Sequence, residues 1–103
     1  MNNIEVAKQM YHHQDYKKAL DLINLLITNK EVSPESVDYI DILYYLGNSK
    51  LRLYELFNKN EALLFDALTD FITAENSIRF YSHNITSKSI SESIILCNRY
   101  HSN

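Results

Sequence analysis

The chain has 103 residues, 46% of them hydrophobic, and a net charge of −3, which suits a single globular domain spanning residues 1–103. Its 10 basic residues are fewer than its 13 acidic ones and are spread along the sequence, so no basic patch predicts nucleic-acid binding. A single glycine and a single proline argue against a β-rich fold, whose turns need both residues. No apolar run approaches the roughly 20 residues of a membrane span. We therefore predict an all-α protein that binds neither nucleic acid nor membrane.

The compartment is predicted from the cysteine count and the N-terminus. One cysteine, Cys97, excludes an internal disulfide and fits a reducing compartment. The first residues have no apolar core and include an early acid, Glu5, so they do not resemble a signal peptide. These features indicate a cytoplasmic protein.

Residues 3–30 are predicted to form the first of two helix pairs. The first helix runs from Asn3 to about His13. Asp15 is a good N-cap for the second helix, which spans roughly Tyr16 to Asn29. The apolar residues of this second helix follow the i, i+3, i+4, i+7 spacing, and they are Tyr16, Ala19, Leu20, Ile23, Leu26 and Ile27.

The stretch from Tyr39 to Tyr54 is predicted to be a central helix with neighbours on both sides. It is apolar nearly all round, as buried helices are. Ser33-Pro34-Glu35 is typical of a helix start, with Pro34 at the first helical position, and the helix is expected to reach about Phe57. Gly47 in its middle costs about 1 kcal/mol relative to alanine. We therefore predict that another helix crosses closely at Gly47, and that Ala19 is a second crossing point.

The remaining helices complete a second, longer pair over residues 34–82 and a capping helix over residues 86–101. Asn60 is expected to cap the fourth helix, from Glu61 to about Ser82. The fifth helix starts near residue 86 or 87 and runs to about residue 100. Its apolar face, formed by Ile90, Ile94 and Cys97, is predicted to cover apolar surface left by the fourth helix. Short connections make consecutive helices antiparallel neighbours.

Two helix pairs followed by one helix resemble a short tetratricopeptide-repeat (TPR) array with a capping helix. Asp15-Tyr16-Lys17-Lys18-Ala19-Leu20, with Ala7 upstream, resembles the family's helix-turn-helix signature. Leu46-Gly47-Asn48 resembles the start of a second repeat, and Pro34 resembles the proline that ends a repeat.

The spacing departs from that family. Ala7 and Gly47 are 40 residues apart, and Ala19 and Ala67 are 48 apart. The family period is about 34 residues. The second helix pair is therefore longer than a standard repeat.

The residues that suggest metal binding or catalysis have simpler explanations. His12 and His13 are adjacent and point about 100° apart on a helix, so they cannot chelate one ion together. Cys97 lies on an apolar face, where it acts as a small hydrophobe, and only His101 is near enough to act as its base. No Cys or carboxylate completes a ligand set with His83 or the other histidines. We expect no metal and no cofactor.

Two pairs of aspartates lie at helical spacing, namely Asp38 with Asp41 and Asp66 with Asp70. Paired carboxylates serve acid–base chemistry only where a pocket shifts one pKa, and nothing in the sequence marks such a pocket. Both pairs are predicted to be solvated polar faces. The sequence therefore predicts no enzyme.

Tyrosines crowd the central helix at positions 39, 44, 45 and 54. Tyrosine is enriched at interfaces because it combines apolar area with a polar end. Some of these rings are expected to fill the core, and a domain this small cannot bury all of them. We predict a homodimer, or a complex with another protein, that uses either the concave face of the helix pairs or part of the following set: Tyr39, Tyr45, Leu53 and Phe57.

A TPR-like solenoid presents the first helices of its pairs on a concave face. The resemblance therefore implies that seven residues of the first and central helices bind a partner: Lys8, Tyr11, His12, Asp41, Tyr44, Asn48 and Arg52. The predicted function is a non-enzymatic protein–protein interaction module, an adaptor or chaperone-like binder of a protein or peptide. The alternative is an immunity or antitoxin-type protein that neutralises its partner by covering its surface. A groove of mixed charge favours the first, and a convex acidic patch favours the second.

Overall fold

The computed structural model describes residues 2–57, 60–78 and 87–102. These residues form five α-helices and no strand, which confirms the predicted all-α class for the described part of the chain. The helices are α1 (Asn3–His12), α2 (Tyr16–Thr28), α3 (Val37–Leu56), α4 (Glu61–Ile78) and α5 (Ser87–Ser102). Each helix packs against the next one in sequence, and α3 also contacts α1 and α5. Among the described helices, none is both long enough and apolar enough to cross a lipid bilayer.

The start of α3 differs from the prediction. Residues 33–36 form a turn, in which the backbone N–H of Ser36 donates to the carbonyl of Ser33 at 3.0 Å. The Ser36 hydroxyl donates to the same carbonyl at 2.7 Å. Pro34 therefore occupies the second position of a turn, which its fixed φ favours, and Ser36 is the N-cap residue. The predicted start at Pro34 is wrong because hydrogen bonds within the turn replace those of a first helical turn.

Two of the helix starts follow the predicted caps. The Asn60 side chain accepts a hydrogen bond from the backbone N–H of Ala62 at 2.9 Å, which confirms it as the cap of α4. Asp15 is the N-cap residue of α2, but its side chain makes no capping hydrogen bond. The predicted end of the fourth helix near Ser82 lies outside the described residues.

Helix α3 lies between two core clusters, as predicted for a central helix. One cluster joins α3 to α4 and α5 and consists of Ile40, Leu43, Leu51, Tyr54, Leu64, Ala67, Phe71, Ala74, Ile90 and Cys97. The other joins α3 to α1 and α2 and consists of Ala7, Leu20, Ile23, Leu26, Val32, Ile42 and Leu46. Because α3 contributes to both clusters, it fixes the positions of the other four helices relative to one another.

The predicted close crossing at Gly47 is confirmed. A Cβ atom on Gly47 would lie 2.7 Å from Cε1 of Phe71 on α4, closer than non-bonded carbon atoms approach. Phe71 is fully buried, as is Ala19 on α2. The missing side chain of Gly47 therefore lets the Phe71 ring lie against the backbone of α3.

The contacts of α5 are those predicted for a covering helix. Its Ile90 and Cys97 side chains are buried in the cluster shared with α3 and α4, and Ile94 packs against that cluster. The Ser91 hydroxyl donates to the Glu75 carboxylate at 3.3 Å, near the end of α4. The ring of His101 lies 4.9 Å from that of Phe65, near the start of α4, so the two helices are antiparallel.

Two aspartates that were predicted to be solvated are paired with lysines instead, Asp41 in a buried position and Asp70 in a half-buried one. Asp41 is 8% exposed, and its Oδ2 lies 3.5 Å from Nζ of Lys8 on α1. Asp70 Oδ2 lies 2.8 Å from Nζ of Lys50 on α3. Each cationic partner comes from a different helix, so the i, i+3 and i, i+4 spacing of the aspartates did not reveal it.

Candidate partner-binding groove

Helices α1, α3 and α5 lie side by side, with α3 in the middle. The α1–α3 contacts pair Lys8 with Asp41 and His12 with Tyr45, each 33 residues apart, so these helices run parallel. Near the end of α5, the Tyr100 hydroxyl donates to the carboxylate of Glu55, close to the end of α3. The earlier turns of α5 face the middle of α3. Helix α5 therefore also runs parallel to α3.

These three helices enclose a groove of about 270 Å³. Tyr44, Asn48 and Arg52 form one stripe along α3 because successive members are four residues apart. The α1 residue Tyr11 adjoins this stripe. The opposite wall belongs to α5 and consists of Ser89, Glu92, Ser93 and Leu96. The structure thus brings four of the seven predicted partner-binding residues to one groove.

Asn48 lies deep in this groove. It is 5% exposed, and its amide donates to the backbone carbonyl of Tyr44 at 3.0 Å, which fixes the orientation of the side chain. Ser93 on the facing helix is 8% exposed. The deepest part of the groove is therefore lined by neutral groups that both donate and accept hydrogen bonds.

Arg52 is held by groups from α1 and α3. Burial lowers the pKa of its guanidinium, but a hydrogen bond with Tyr11 and the nearby Glu55 carboxylate more than offset this, so the pKa is raised and the group stays charged. Glu55 hydrogen-bonds Arg52 and also accepts from Tyr100 of α5. That bond is the first cause of the raised pKa of Tyr100. The series Tyr11, Arg52, Glu55 and Tyr100 thus links all three helices.

The other three predicted partner-binding residues lie around the Tyr45 ring rather than in the groove. Lys8 Nζ lies 5.8 Å from the ring centroid, and His12 Nε2 lies 3.2 Å from the hydroxyl. His12 is exposed, whereas Asp41 is buried against Lys8. Lys8 and Asp41 therefore join α1 to α3, and of the three residues only His12 is exposed.

A row of aromatic rings crosses the molecule beside the groove. Tyr16 contacts Tyr11 at 5.3 Å between ring centroids, and Tyr11 contacts Tyr45 at 5.4 Å. Tyr45 contacts Tyr44 at 5.9 Å, and Tyr44 contacts the buried Phe71 at 6.2 Å. The row runs from α2 to α4 and fixes the rings of Tyr11 and Tyr44, which line the groove, against the core.

A second surface lies at the end of α3, where Leu56 is 61% exposed and Phe57 is 72% exposed. Two cavities of about 340 Å³ each flank this point and share Lys17, Leu53 and Phe57. On α3, Leu53 projects about 140° away from Asn48, the middle residue of the groove stripe. Of the four residues predicted for self-association, Phe57 is exposed, whereas Tyr39, Tyr45 and Leu53 are half-buried against the α1–α2–α3 cluster.

Burial raises the pKa of the Cys97 thiol to about 11, so this side chain is a protonated thiol at neutral pH. Among the described residues, no three His, Cys, Asp or Glu side chains are grouped to hold a metal ion. His83 lies outside the described residues.

No protein-family model matches the chain, and no curated protein or solved structure matches it.

Proposed function

We propose that this protein is a cytoplasmic, non-enzymatic protein–protein interaction module, an adaptor or chaperone-like binder that takes an extended segment of its partner in the groove. The convergence of Tyr11, Tyr44, Asn48 and Arg52 on that groove carries the proposal. The hydroxyl and amide groups that line the groove offer both hydrogen-bond donors and acceptors, which a peptide backbone requires. At about 270 Å³, the cavity lies below the usual range of small-molecule pockets, roughly 300–1,000 Å³. That volume suits a short part of an extended chain.

We infer that the helix pairs stack in a TPR-like manner. In support, the side chains that join α1 to α3 are 33 residues apart, close to the family period of about 34. Glu55 and Tyr100, which join α3 to α5, are 45 residues apart, as expected from a longer second pair. In this arrangement α1, α3 and α5 form the concave face, and α5 is the capping helix.

Replacing Asn48 by alanine is expected to weaken peptide binding about tenfold, because the groove then lacks the buried amide that contacts the peptide backbone. The ligand is a peptide selected from a random library on the immobilised full-length chain, and its affinity is measured by fluorescence anisotropy. The matched control is Asn24→Ala on the exposed face of α2, which should leave the affinity unchanged. Equal affinities for the wild type and both variants would refute binding in the groove.

We also propose that the chain forms a homodimer through the exposed end of α3. Phe57 protrudes beside two cavities, and a two-fold axis allows the Phe57 ring of each copy to enter a cavity of the other. The rim carries both signs of charge, with Asp15 and Lys18 beside the Lys17–Asp21 ion pair. A surface that meets its own copy needs such a mixture.

Light scattering is expected to give twice the chain mass of 12.1 kDa for the wild type. Phe57→Asp should reduce the measured mass to that of one chain, because it removes the large apolar ring that fills the cavity of the partner copy. Ile95→Asp, at a 55% exposed site on α5, is the matched control and should leave the dimer intact. A single-chain mass for the wild type at all concentrations up to the millimolar range would contradict the dimer.

A second candidate function, the neutralising immunity or antitoxin type, is favoured by α4. This helix carries four acidic and no basic residues, and its exposed surface combines Asp66 with the apolar side chains of Phe65 and Ile72. Such a face suits a basic partner surface. Once a protein partner is identified, loss of affinity in Asp66→Lys but not in Asn48→Ala would assign binding to α4 and favour this alternative.

A further inference from the structure

The groove carries one charge on each wall. Arg52 of α3 keeps 34% of its side chain exposed, and its guanidinium has five N–H donors, of which Tyr11 and Glu55 engage only some. Glu92 of α5 keeps 66% of its side chain exposed. Its carboxylate lies 3.9 Å from Nζ of Lys88, which is highly exposed, and such a pair contributes little. Both charges are therefore able to bind charged groups of a ligand.

The register of the two parallel helices gives the separation of these charges along the groove. Tyr100 of α5 contacts both Tyr54 and Glu55 of α3, so it lies opposite the midpoint between these two residues. Arg52 precedes that midpoint by about 2.5 residues, and in parallel helices the point of α5 opposite Arg52 therefore lies about 2.5 residues before Tyr100. Glu92 precedes the point of α5 opposite Arg52 by five to six residues, which is about 8 Å along the helix at 1.5 Å per residue. An extended chain advances about 3.3 Å per residue. Two or three residues of an extended peptide therefore span the distance between the two charges.

We propose that the groove recognises an extended segment in which a basic and an acidic residue are two or three positions apart. The basic side chain lies against Glu92, and the acidic side chain lies against Arg52. Between them the peptide backbone passes over Asn48 and Ser93, which are neutral and nearly buried. This inference rests on the proposed function and adds the chemistry of the partner segment.

The same geometry sets what the groove rejects. A segment with the two charges in the opposite order along the groove brings like charges together at both walls. A uniformly acidic or uniformly basic segment meets a like charge at one wall. Selectivity thus depends on both the order and the separation of the two charged residues.

The test selects peptides from a random eight-residue library displayed on phage, with the full-length protein as bait. Enriched peptides are expected to carry a basic and an acidic residue two or three positions apart, in one order. Their affinity should fall at least tenfold in Glu92→Lys. Replacing the basic residue of the peptide by glutamate should restore binding to that variant. Glu61→Lys makes the same charge change at an exposed site on α4 and should have no effect.

The outcome separates this inference from the proposed function. If Asn48→Ala weakens binding but Glu92→Lys behaves like Glu61→Lys, the groove binds peptides and the charge pattern is wrong. Enriched peptides without a common charge spacing would also overturn the charge pattern. If neither Asn48→Ala nor Glu92→Lys weakens binding, both proposals fail.

Discussion

Replacing Lys50 by methionine is expected to lower the free energy of unfolding by about 3 kcal/mol at pH 7. Lys50 Nζ lies 2.8 Å from Oδ2 of Asp70, and only 13% of each side chain is exposed. Without the lysine, the Asp70 carboxylate stays between α3 and α4 with no cation to compensate its charge. The melting temperature should fall by roughly 12 °C or more for a chain of this size.

The pH dependence of the stability loss in Lys50→Met follows from the pKa of Asp70. Burial raises that pKa above its ordinary value of 3.8, and Lys50 partly opposes the rise. A folded-state pKa above the unfolded value means that the folded protein binds the proton more tightly, so stability is lost as the pH rises through the folded pKa. Lys50→Met removes the opposing cation and raises the pKa of Asp70 further. The loss of unfolding free energy in Lys50→Met, relative to the wild type, should therefore become smaller as the pH falls from 7 towards 4.

Urea unfolding followed by far-UV circular dichroism, at pH 7 and near pH 4.5, measures these differences. The double variant Lys50→Met/Asp70→Leu removes both charges and should recover most of the loss, because no buried charge remains. Lys17→Met breaks the exposed ion pair with Asp21 and should cost less than about 0.5 kcal/mol. If Lys50→Met and Lys17→Met lower the free energy of unfolding equally, the Lys50–Asp70 pair is as well solvated as a surface pair.

The presence of a helix can be predicted from the local sequence, but the residue at which it begins cannot always be predicted in this way. Apolar spacing correctly predicted a central helix around Gly47, because a stripe on each side of one helix requires a neighbour on each side. Pro34 is equally suited to a first helical turn and to the second position of a β-turn. The choice depends on hydrogen bonds between Ser33 and Ser36, which the residue types alone do not determine.

The groove was only half predictable for a similar reason. The resemblance to TPR proteins implied that Tyr11, Asn48 and Arg52 share one concave face, and in the structure all three line the same groove. The wall that contains Glu92, and the bond between Glu55 and Tyr100, depend on how segments 40 or more residues apart pack. No local spacing encodes those contacts, so the charge on the far wall becomes visible only once α5 is placed.

Gly47→Leu is expected to lower the free energy of unfolding by about 2 kcal/mol. The change gains helix propensity, since glycine costs up to about 1 kcal/mol within a helix. That gain is outweighed because the first added atom would lie 2.7 Å from Cε1 and 2.8 Å from Cζ of Phe71. Phe71 is fully buried among the residues that join α3 to α4 and α5, so its ring has little free space to move into. The melting temperature should fall by roughly 8–16 °C.

A double-mutant cycle tests whether the loss arises at this contact. Phe71→Leu shortens the opposing side chain, so the effect of Gly47→Leu should be smaller by about 1 kcal/mol in its presence. Asn24→Leu is the matched control, since it adds leucine to the exposed face of α2 and should leave the melting temperature nearly unchanged. If Gly47→Leu melts at or above the wild-type temperature, α3 and α4 have room for a side chain at their crossing. An effect of Gly47→Leu that is equal with and without Phe71→Leu would place the strain elsewhere on α3.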